Sequence, residues 1–524
     1  MNSRTTLGAV GAAAALTLAL TACSDSGSLP GDSTASSSGS ETAAAAADTT
    51  LNLGLTSDIS APDPSSAYDG SEMNLVLAAY EGLVKYQTGV DDAEIVPSLA
   101  SDWEVSDDGL TYTFTLREGV TFHDGTELTS AAIQPSIDRM LTEGDSGPAY
   151  LISDVASVDT PDDYTVVFTL DEPNAAFLDY LASPFGLKII SPTVLDEHGD
   201  DADWFATNDG GTGPFEFASF DPGVTYTLSA YDGYWGDTGG YDEIEFDVVD
   251  STNTVQLELE SGELDGYIGS GNKVLFDALA DTDGIETYTY SAMMAPVVFL
   301  NPAADAFGED SDRLAFLSGI DWDSIVSSVY GDKATTSTGV FPSSMLDSSE
   351  NESGISYDAD ALAALEGDTI EIGYPTFVPG AQDISDNVAA QLNAAGISAE
   401  SVGYESSSYW STIFDPDLAP DVTLFSAFPD AGHPDTWAQL LYASSGGLNL
   451  FYPEVDGLDD AIAAAANSGD YSEVTDLVAS SGYWYTVADL SVTSAFQEGI
   501  EGAADASYPI LGITLDFTQL SPAS

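Results

Sequence analysis

The sequence predicts a two-lobed α/β protein with mixed sheets, in which a β-rich lobe comes first and an α/β lobe second. In the first half, Leu110, Tyr112, Phe114 and Leu116 alternate with threonines, which is typical of a strand with one buried face. In the second half, strand patterns alternate with amphipathic helix patterns, which indicates βαβ units and a parallel sheet. A hydrophobic share of 43% over 524 residues is enough for two or three domains with cores.

The first half contains further strands and two helices. A turn at Asp107-Asp108-Gly109 leads into the alternating strand 110–116. Helical spacing of Leu75, Ala78 and Leu83 predicts a helix over 72–86. A second helix, 253–260, is expected to stop at Gly262. The other predicted strands are 51–55, 164–170, 224–228 and 244–248.

The second half predicts the α/β lobe. Its strands are expected at 370–374, 397–404 and 422–427, and its helices at 383–395, before Gly396, and at 408–414. A late strand at 510–517 is expected to return to the first lobe. The predicted bounds are therefore 50–290 for lobe I, 291–495 for lobe II and 496–524 for the return.

The N-terminal residues have the pattern of an export signal. Arg4 precedes an uncharged run, 7–22, that is too short for a comfortable membrane span, and small residues lead up to Cys23. Leu20-Thr21-Ala22-Cys23 resembles the bacterial lipobox, in which the cysteine is lipidated. The alternative is an ordinary signal peptide with an incidental cysteine. We expect a signal peptide over 1–22, a lipid on Cys23 and a Ser/Thr/Gly/Ala tether to residue 49, so that the protein lies at the extracellular face of the cytoplasmic membrane.

Acidic residues dominate the composition. The chain has 88 Asp and Glu against 8 Lys and Arg, and loss of Arg4 with the signal peptide leaves 7 − 88 = −81 charges. Such a surface repels nucleic acid and destabilises the fold by self-repulsion, which salt should screen. Because Cys23 is the single cysteine, an intramolecular disulfide is excluded.

Motifs in a fixed order carry a family resemblance that runs from about Leu51 to about Phe517. The longest stretch, 97–125, contains the predicted hairpin and ends in Phe122-His123-Asp124-Gly125. The shorter motifs are Ala79-Tyr80-Glu81-Gly82-Leu83, Gly211-Thr212-Gly213-Pro214-Phe215, Tyr234-Trp235-Gly236 and Ser261-Gly262-Glu263-Leu264-Asp265. Together they resemble the family 5 extracellular solute-binding proteins, the dipeptide- and oligopeptide-binding lipoproteins of ABC importers.

The resemblance implies a fold and a function. The expected fold is the class II periplasmic-binding-protein-like fold of the large type, with an inserted β-rich subdomain at about 86–205 and a ligand cleft between hinged lobes. The expected function is capture of extracellular oligopeptides or dipeptides for a membrane permease, by a monomer without catalysis or cofactor. An oligosaccharide or another small solute is the alternative ligand; a secreted hydrolase and a surface adhesin are the rival classes.

Five residues are predicted to bind the ligand by the same resemblance. Asp430 falls where family members pair a carboxylate with a peptide amino terminus, and a carboxylate in a cleft suits an ammonium group. Trp410 resembles an aromatic residue that lines side-chain pockets. Phe428, Tyr68 and Gly70 fall near ligand-contacting positions. The alternative interpretation is that all five serve in packing or in loops.

Cations are scarce where the family holds a peptide carboxylate. No Lys or Arg follows Lys333, so Arg313, Lys333, backbone amides or water would have to take that role. The three histidines, His123, His198 and His433, show no metal-ligand spacing, and no metal site is predicted.

Overall fold

We analysed a computed structural model, which describes residues 49–68, 70–90, 93–143, 147–269 and 273–523. Within these residues the strands are β1 Thr50–Leu55, β2 Val84–Tyr86, β3 Ile95–Pro97, β4 Ala100–Val105, β5 Thr111–Leu116, β6 Val155–Asp162, β7 Thr165–Leu170, β8 Phe215–Asp221, β9 Thr225–Ala230, β10 Glu243–Val248, β11 Gly266–Tyr267, β12 Ile285–Ser291, β13 Ala295–Leu300, β14 Ala334–Thr336, β15 Thr369–Pro375, β16 Ser398–Tyr404, β17 Val422–Ala427, β18 Trp484–Thr486, β19 Ala488–Gln497, β20 Ile500–Glu501 and β21 Ser521–Pro522.

The same residues form a set of α-helices. They are α1 Gly70–Ala79, α2 Ile133–Glu143, α3 Phe177–Ala182, α4 Pro192–His198, α5 Ala202–Phe205, α6 Thr252–Ser261, α7 Lys273–Ala280, α8 Asp310–Gly319, α9 Trp322–Val329, α10 Ala381–Ala394, α11 Ser406–Thr412, α12 Pro434–Leu441, α13 Leu458–Ser468 and α14 Ser472–Ser481. No helix among the described residues is long and apolar enough to cross a membrane.

Two mixed sheets dominate the described part of the chain. The larger has the order β12-β19-β11-β1-β10-β9-β8, with β14 paired to β19. The five-stranded sheet has the order β16-β15-β17-β13-β18, and its β15 pairs in parallel with both β16 and β17, as the alternating pattern predicted. A four-stranded antiparallel sheet, β4-β5-β7-β6, contains the predicted hairpin. The mixed α/β class is therefore confirmed.

Two short connections join the two mixed sheets. Residues 292–294 lead from β12 in the larger sheet into β13 in the five-stranded sheet, and Val487 lies between β18 and β19 on the return. The connections are adjacent, because β19 pairs with β12 and β18 pairs with β13. This arrangement is what a hinge requires. The exact bounds of the two lobes stay a prediction.

Most predicted elements are confirmed, and two are wrong. The helix predicted over 72–86 ends at Ala79, and β2 follows. The late strand predicted over 510–517 is absent from the described structure: this segment contributes one bridge, between Ser507 and Leu515, and a 3₁₀ turn that begins at Phe517. Leu515 and Phe517 are nevertheless buried, in the same hydrophobic core cluster as Leu53 of β1. Their apolar spacing reflects burial of an irregular segment.

Candidate functional site

Asp430 lies in the loop between β17 and α12, and only 2% of it is exposed. Its carboxylate accepts hydrogen bonds from the hydroxyls of Tyr68 and Tyr150. Its main-chain carbonyl accepts a further bond from the hydroxyl of Ser183. Asp430, the predicted partner of a ligand amino group, is thus held by three residues that lie far earlier in the chain.

The environment of Asp430 is electrostatically unusual for a carboxylate. Burial raises the pKa of Asp430, and the hydrogen bonds from Tyr150 and Tyr68 oppose that rise. None of the ion pairs formed within the described residues involves Asp430. A buried carboxylate held by neutral hydroxyls alone would gain most from an ammonium group supplied by a ligand.

Three aromatic side chains pack together next to this carboxylate. The ring of Phe185 makes an edge contact with Tyr68, at 5.1 Å between centroids, and stacks on Phe428 at 6.3 Å. Tyr68 and Phe428, two of the residues predicted to bind the ligand, therefore lie close to Asp430, and the ring of Phe185 contacts both of them. Tyr150, Ser183 and Phe185 were missed by the sequence analysis, because no local pattern marks them.

The turn that carries Ser183 and Phe185 is held by a buried cation. The ammonium of Lys188 donates to the main-chain carbonyls of Ser183, at 2.9 Å, and Gly186, at 3.2 Å. Burial lowers the pKa of Lys188 to about 7. Gly186 is required here, since a Cβ would lie 2.2 Å from the carbonyl oxygen of Tyr180.

No hydrogen bond or ring contact among the described residues joins Gly70 or Trp410 to the carboxylate of Asp430. Gly70 is the first residue of α1. A Cβ added at Gly70 would lie 2.7 Å from Cδ1 of Ile513. Trp410 is half-buried on α11 and makes an edge contact with Phe425 of β17 at 5.3 Å. Their ligand-binding roles stay predictions, and Cys23 lies outside the described residues.

A second buried carboxylate repeats the pattern. Asp435, in the first turn of α12, accepts hydrogen bonds from the hydroxyls of Tyr180 and Tyr471. The ring of His433 caps this helix by accepting from the Asp435 amide at 3.2 Å, and burial lowers the pKa of His433 to about 4. Burial raises the pKa of Asp435, and its tyrosine hydrogen bonds oppose that rise, as at Asp430, so Asp435 provides a matched comparison for Asp430.

A cavity of about 350 Å³ lies beside the two connections between the mixed sheets. Its lining includes Met294, Ser426 of β17, Lys273 and Lys333. Lys273 pairs with Asp277, whereas the ammonium of Lys333 donates to the hydroxyl of Thr289 at 3.1 Å. This volume is within the range of small-molecule sites.

Arg313, the other cation considered for a ligand carboxylate, is committed to the core. Its guanidinium is buried, donates to the carbonyls of Ser481 and Phe307, pairs with Asp310 and lies over the ring of Tyr483 at 3.8 Å. Each of its three guanidinium nitrogens therefore donates to an oxygen of the protein. Of the two candidates, Lys333 is the one that faces a cavity.

Comparisons with known proteins identify the family. The family model for bacterial extracellular solute-binding proteins, family 5 middle region, matches residues 94–449. The probable D,D-dipeptide-binding periplasmic protein DdpA of Escherichia coli is 30% identical over 300 residues, which cover 56% of this chain and 57% of DdpA. The dipeptide-binding protein of Escherichia coli is 26% identical over 79% of this chain and 82% of its own length.

Solved structures show the same fold. The periplasmic binding protein DppA of Helicobacter pylori, in complex with the peptide STSA, superposes with a TM-score of 0.75 at 23% identity, over 91% of this chain and 98% of DppA. NikA of Brucella suis, in complex with Fe(III)-EDTA, gives a TM-score of 0.80 at 21% identity, over 91% of this chain and all of NikA. This chain belongs to the bacterial extracellular solute-binding proteins of family 5.

Proposed function

We propose that this protein is the substrate-binding lipoprotein of an ABC importer and that it captures oligopeptides or dipeptides outside the cell. The observation that carries the proposal is Asp430, a buried carboxylate that has tyrosine hydroxyls and no cation as partners among the described residues. The α-amino group of a peptide supplies the missing charge. The relatives named for dipeptide binding support the same ligand class.

We assign the carboxylate end of the peptide to the cavity of about 350 Å³ beside the two connections between the mixed sheets. Lys333 lines it, and its ammonium has a hydroxyl, that of Thr289, as its hydrogen-bond partner. Binding across Asp430 and Lys333 would bridge segments on both sides of the two connections, because Lys333 directly precedes β14, which pairs with the larger sheet, whereas Asp430 follows β17 of the five-stranded sheet. Ligand binding would thereby favour closure of the hinge.

Delivery to the permease requires the protein to stay at the membrane. We propose that cleavage after Ala22 leaves a lipidated Cys23, and that residues 24–49 tether a monomeric receptor at the extracellular face, without catalysis and without a cofactor. The test is a Cys23→Ser chain expressed in the native host. It should appear in the medium, while the unaltered chain stays with membranes; retention of both in the membrane fraction would contradict the anchor.

A thermal-shift screen tests the ligand class. The full-length chain would be incubated with dipeptides to hexapeptides and with oligosaccharides, since a ligand that binds only the folded state raises Tm. We expect a shift with peptides that disappears in Asp430→Ala and persists in Asp435→Asn. A shift with sugars alone would contradict the peptide assignment.

A further inference from the structure

Lys188 is a buried cation that no carboxylate among the described residues pairs with. Its side chain is 5% exposed, and none of the ion pairs formed within the described residues includes it. Its ammonium donates instead to the main-chain carbonyls of Ser183 and Gly186. A buried charge without an ionic partner costs stability, and an apolar side chain of similar size often serves a fold equally well. This cost indicates that Lys188 serves something other than stability.

The turn that Lys188 holds, 183–186, reaches Asp430 through the hydroxyl of Ser183. This hydroxyl donates to the main-chain carbonyl of Asp430 and accepts from the amide of Phe185 at 3.0 Å. A serine hydroxyl has one hydrogen to donate, and the bond from Phe185 uses only a lone pair of its oxygen. The conformation of the turn therefore places the donor that fixes the main chain of Asp430.

The ring of Phe185 is the second connection between the turn and Asp430. It makes an edge contact with Tyr68, whose hydroxyl donates to the Asp430 carboxylate, and it stacks on Phe428, two residues before Asp430. The turn thus acts on the carboxylate of Asp430 as well as on its main chain. Binding groups need to be held within about 0.5 Å of the productive geometry, so a shift of this turn should weaken binding.

We propose that Lys188 is a positioning residue of the ligand site: its ammonium holds the turn 183–186 in the conformation that fixes Asp430 for the amino group of a peptide. This inference rests on the proposed function and adds to it a residue that acts through the turn. Charge-assisted hydrogen bonds are about twice as strong as neutral ones, so the protonated side chain holds the two carbonyls more firmly than the neutral amine. Ligand affinity should therefore respond to the protonation of Lys188.

Other titratable groups face Lys188 across a cavity of about 40 Å³; they are Glu81, Asp516, Lys85, Tyr80, Tyr234 and Tyr508. Asp516 pairs with Lys85 at 3.4 Å. Burial raises the pKa of the three phenols, which therefore stay uncharged at pH 9. Burial also raises the pKa of Glu81 and lowers that of Lys188 to about 7. The titration of Glu81 therefore has to be separated from that of Lys188.

The test is calorimetric titration of tetra-alanine into the full-length protein at pH 6 and pH 9. The dissociation constant of each variant is divided by that of the unaltered protein at the same pH, which cancels the titration of the peptide amino group. Lys188→Met, which keeps the length but not the charge, should bind about tenfold more weakly at pH 6 and within about twofold at pH 9. Lys188→Arg, which stays charged, should match the unaltered protein at pH 6 and bind more tightly at pH 9.

A second variant tests the route through the turn. Ser183→Ala removes the hydroxyl that joins the turn to the main chain of Asp430. If Lys188 acts through the turn, the losses in Lys188→Met and Ser183→Ala overlap, and the double variant should lose less affinity than the product of the two single effects. Losses that multiply in full would overturn this route.

Controls separate Lys188 from its neighbours. Lys85→Met removes a cation that lines the same cavity and pairs with Asp516, and should leave affinity unchanged at both pH values. In a Glu81→Gln background, the effect of Lys188→Met should still be larger at pH 6 than at pH 9. Circular dichroism checks folding; if Lys188→Met does not fold, the comparison of Lys188→Arg with the unaltered protein at pH 9 decides.

The outcomes distinguish this inference from the function it rests on. Equal affinity of Lys188→Met and the unaltered protein at both pH values, or a loss of the same size at pH 6 and pH 9, would overturn the role of Lys188. If tetra-alanine nevertheless binds and loses affinity in Asp430→Asn, the proposed function stands without it. If tetra-alanine does not bind the unaltered protein, both are overturned.

Discussion

The hydroxyl of Tyr150 donates a hydrogen bond to the carboxylate of Asp430, a residue 280 positions later in the chain. Tyr68 makes the same bond across 362 positions. The N-terminal and C-terminal thirds of the chain therefore meet at one carboxylate.

Tyr150→Phe should weaken the fold. The substitution removes one of the two hydroxyl donors and leaves Asp430 buried with less compensation, so the free energy of unfolding at pH 7 should fall by about 1–3 kcal/mol. Chemical denaturation measures the change. Tyr357→Phe, at an exposed position, is the control and should have no effect. Equal stability of Tyr150→Phe and the unaltered protein would show that the bond contributes nothing.

Lys188 should make stability depend on pH. Its folded-state pKa of about 7 lies below the ordinary lysine value of 10.5, so between these values the unfolded state binds more protons and stability rises with pH. Lys188→Met removes this contribution. The unfolding free energy of the unaltered protein, minus that of Lys188→Met, should increase from pH 7 to pH 10 by up to about 1.4 kcal/mol per pH unit. A difference that is flat with pH would disprove the lowered pKa.

Gly70→Ala should destabilise the protein by about 1 kcal/mol, because the new Cβ would lie 2.7 Å from Cδ1 of Ile513. Ile513→Val removes that methyl group and should restore most of the loss in the double variant. Thermal unfolding of the three variants measures the coupling. If Gly70→Ala leaves stability intact but weakens peptide binding, Gly70 contacts the ligand, as its sequence position suggested.

Moderate salt should stabilise the protein. A net charge of −80 repels itself, and NaCl screens that repulsion, since the Debye length falls from about 30 Å at 0.01 M to about 3 Å at 1 M. Tm should therefore rise steadily over this range. A Tm that does not respond to NaCl would mean that the excess charge has no net cost.

Local patterns predicted local structure well. The alternation of Tyr112, Phe114 and Leu116 with threonines is visible within a few residues, and β5 has that buried face. The helix that ends at Gly262 was equally clear, because Gly262 takes the left-handed C-cap conformation, with φ of 74°. The prediction over 510–517 was wrong because burial alone gives an irregular segment the apolar residues of a strand.

The site was only partly predictable. Asp430 was found by resemblance, but its partners Tyr150 and Ser183 lie in segments where nothing in the local sequence marks a binding residue. Tyrosines are frequent in this chain, and only the fold selects which two meet the carboxylate. The left-handed backbone conformation of Tyr452, with φ of 48°, was likewise not predictable, because no pattern in the sequence around a bulky residue marks it.

We propose that Asp430 binds the amino group of a peptide, and the decisive experiment is calorimetric titration with a free and an N-acetylated form of the same tetrapeptide. We expect binding of the free peptide, at least tenfold weaker binding after acetylation, and a similar loss in Asp430→Asn but not in the matched Asp435→Asn. Equal affinity for the two peptide forms, or a loss in Asp435→Asn as large as in Asp430→Asn, would contradict it.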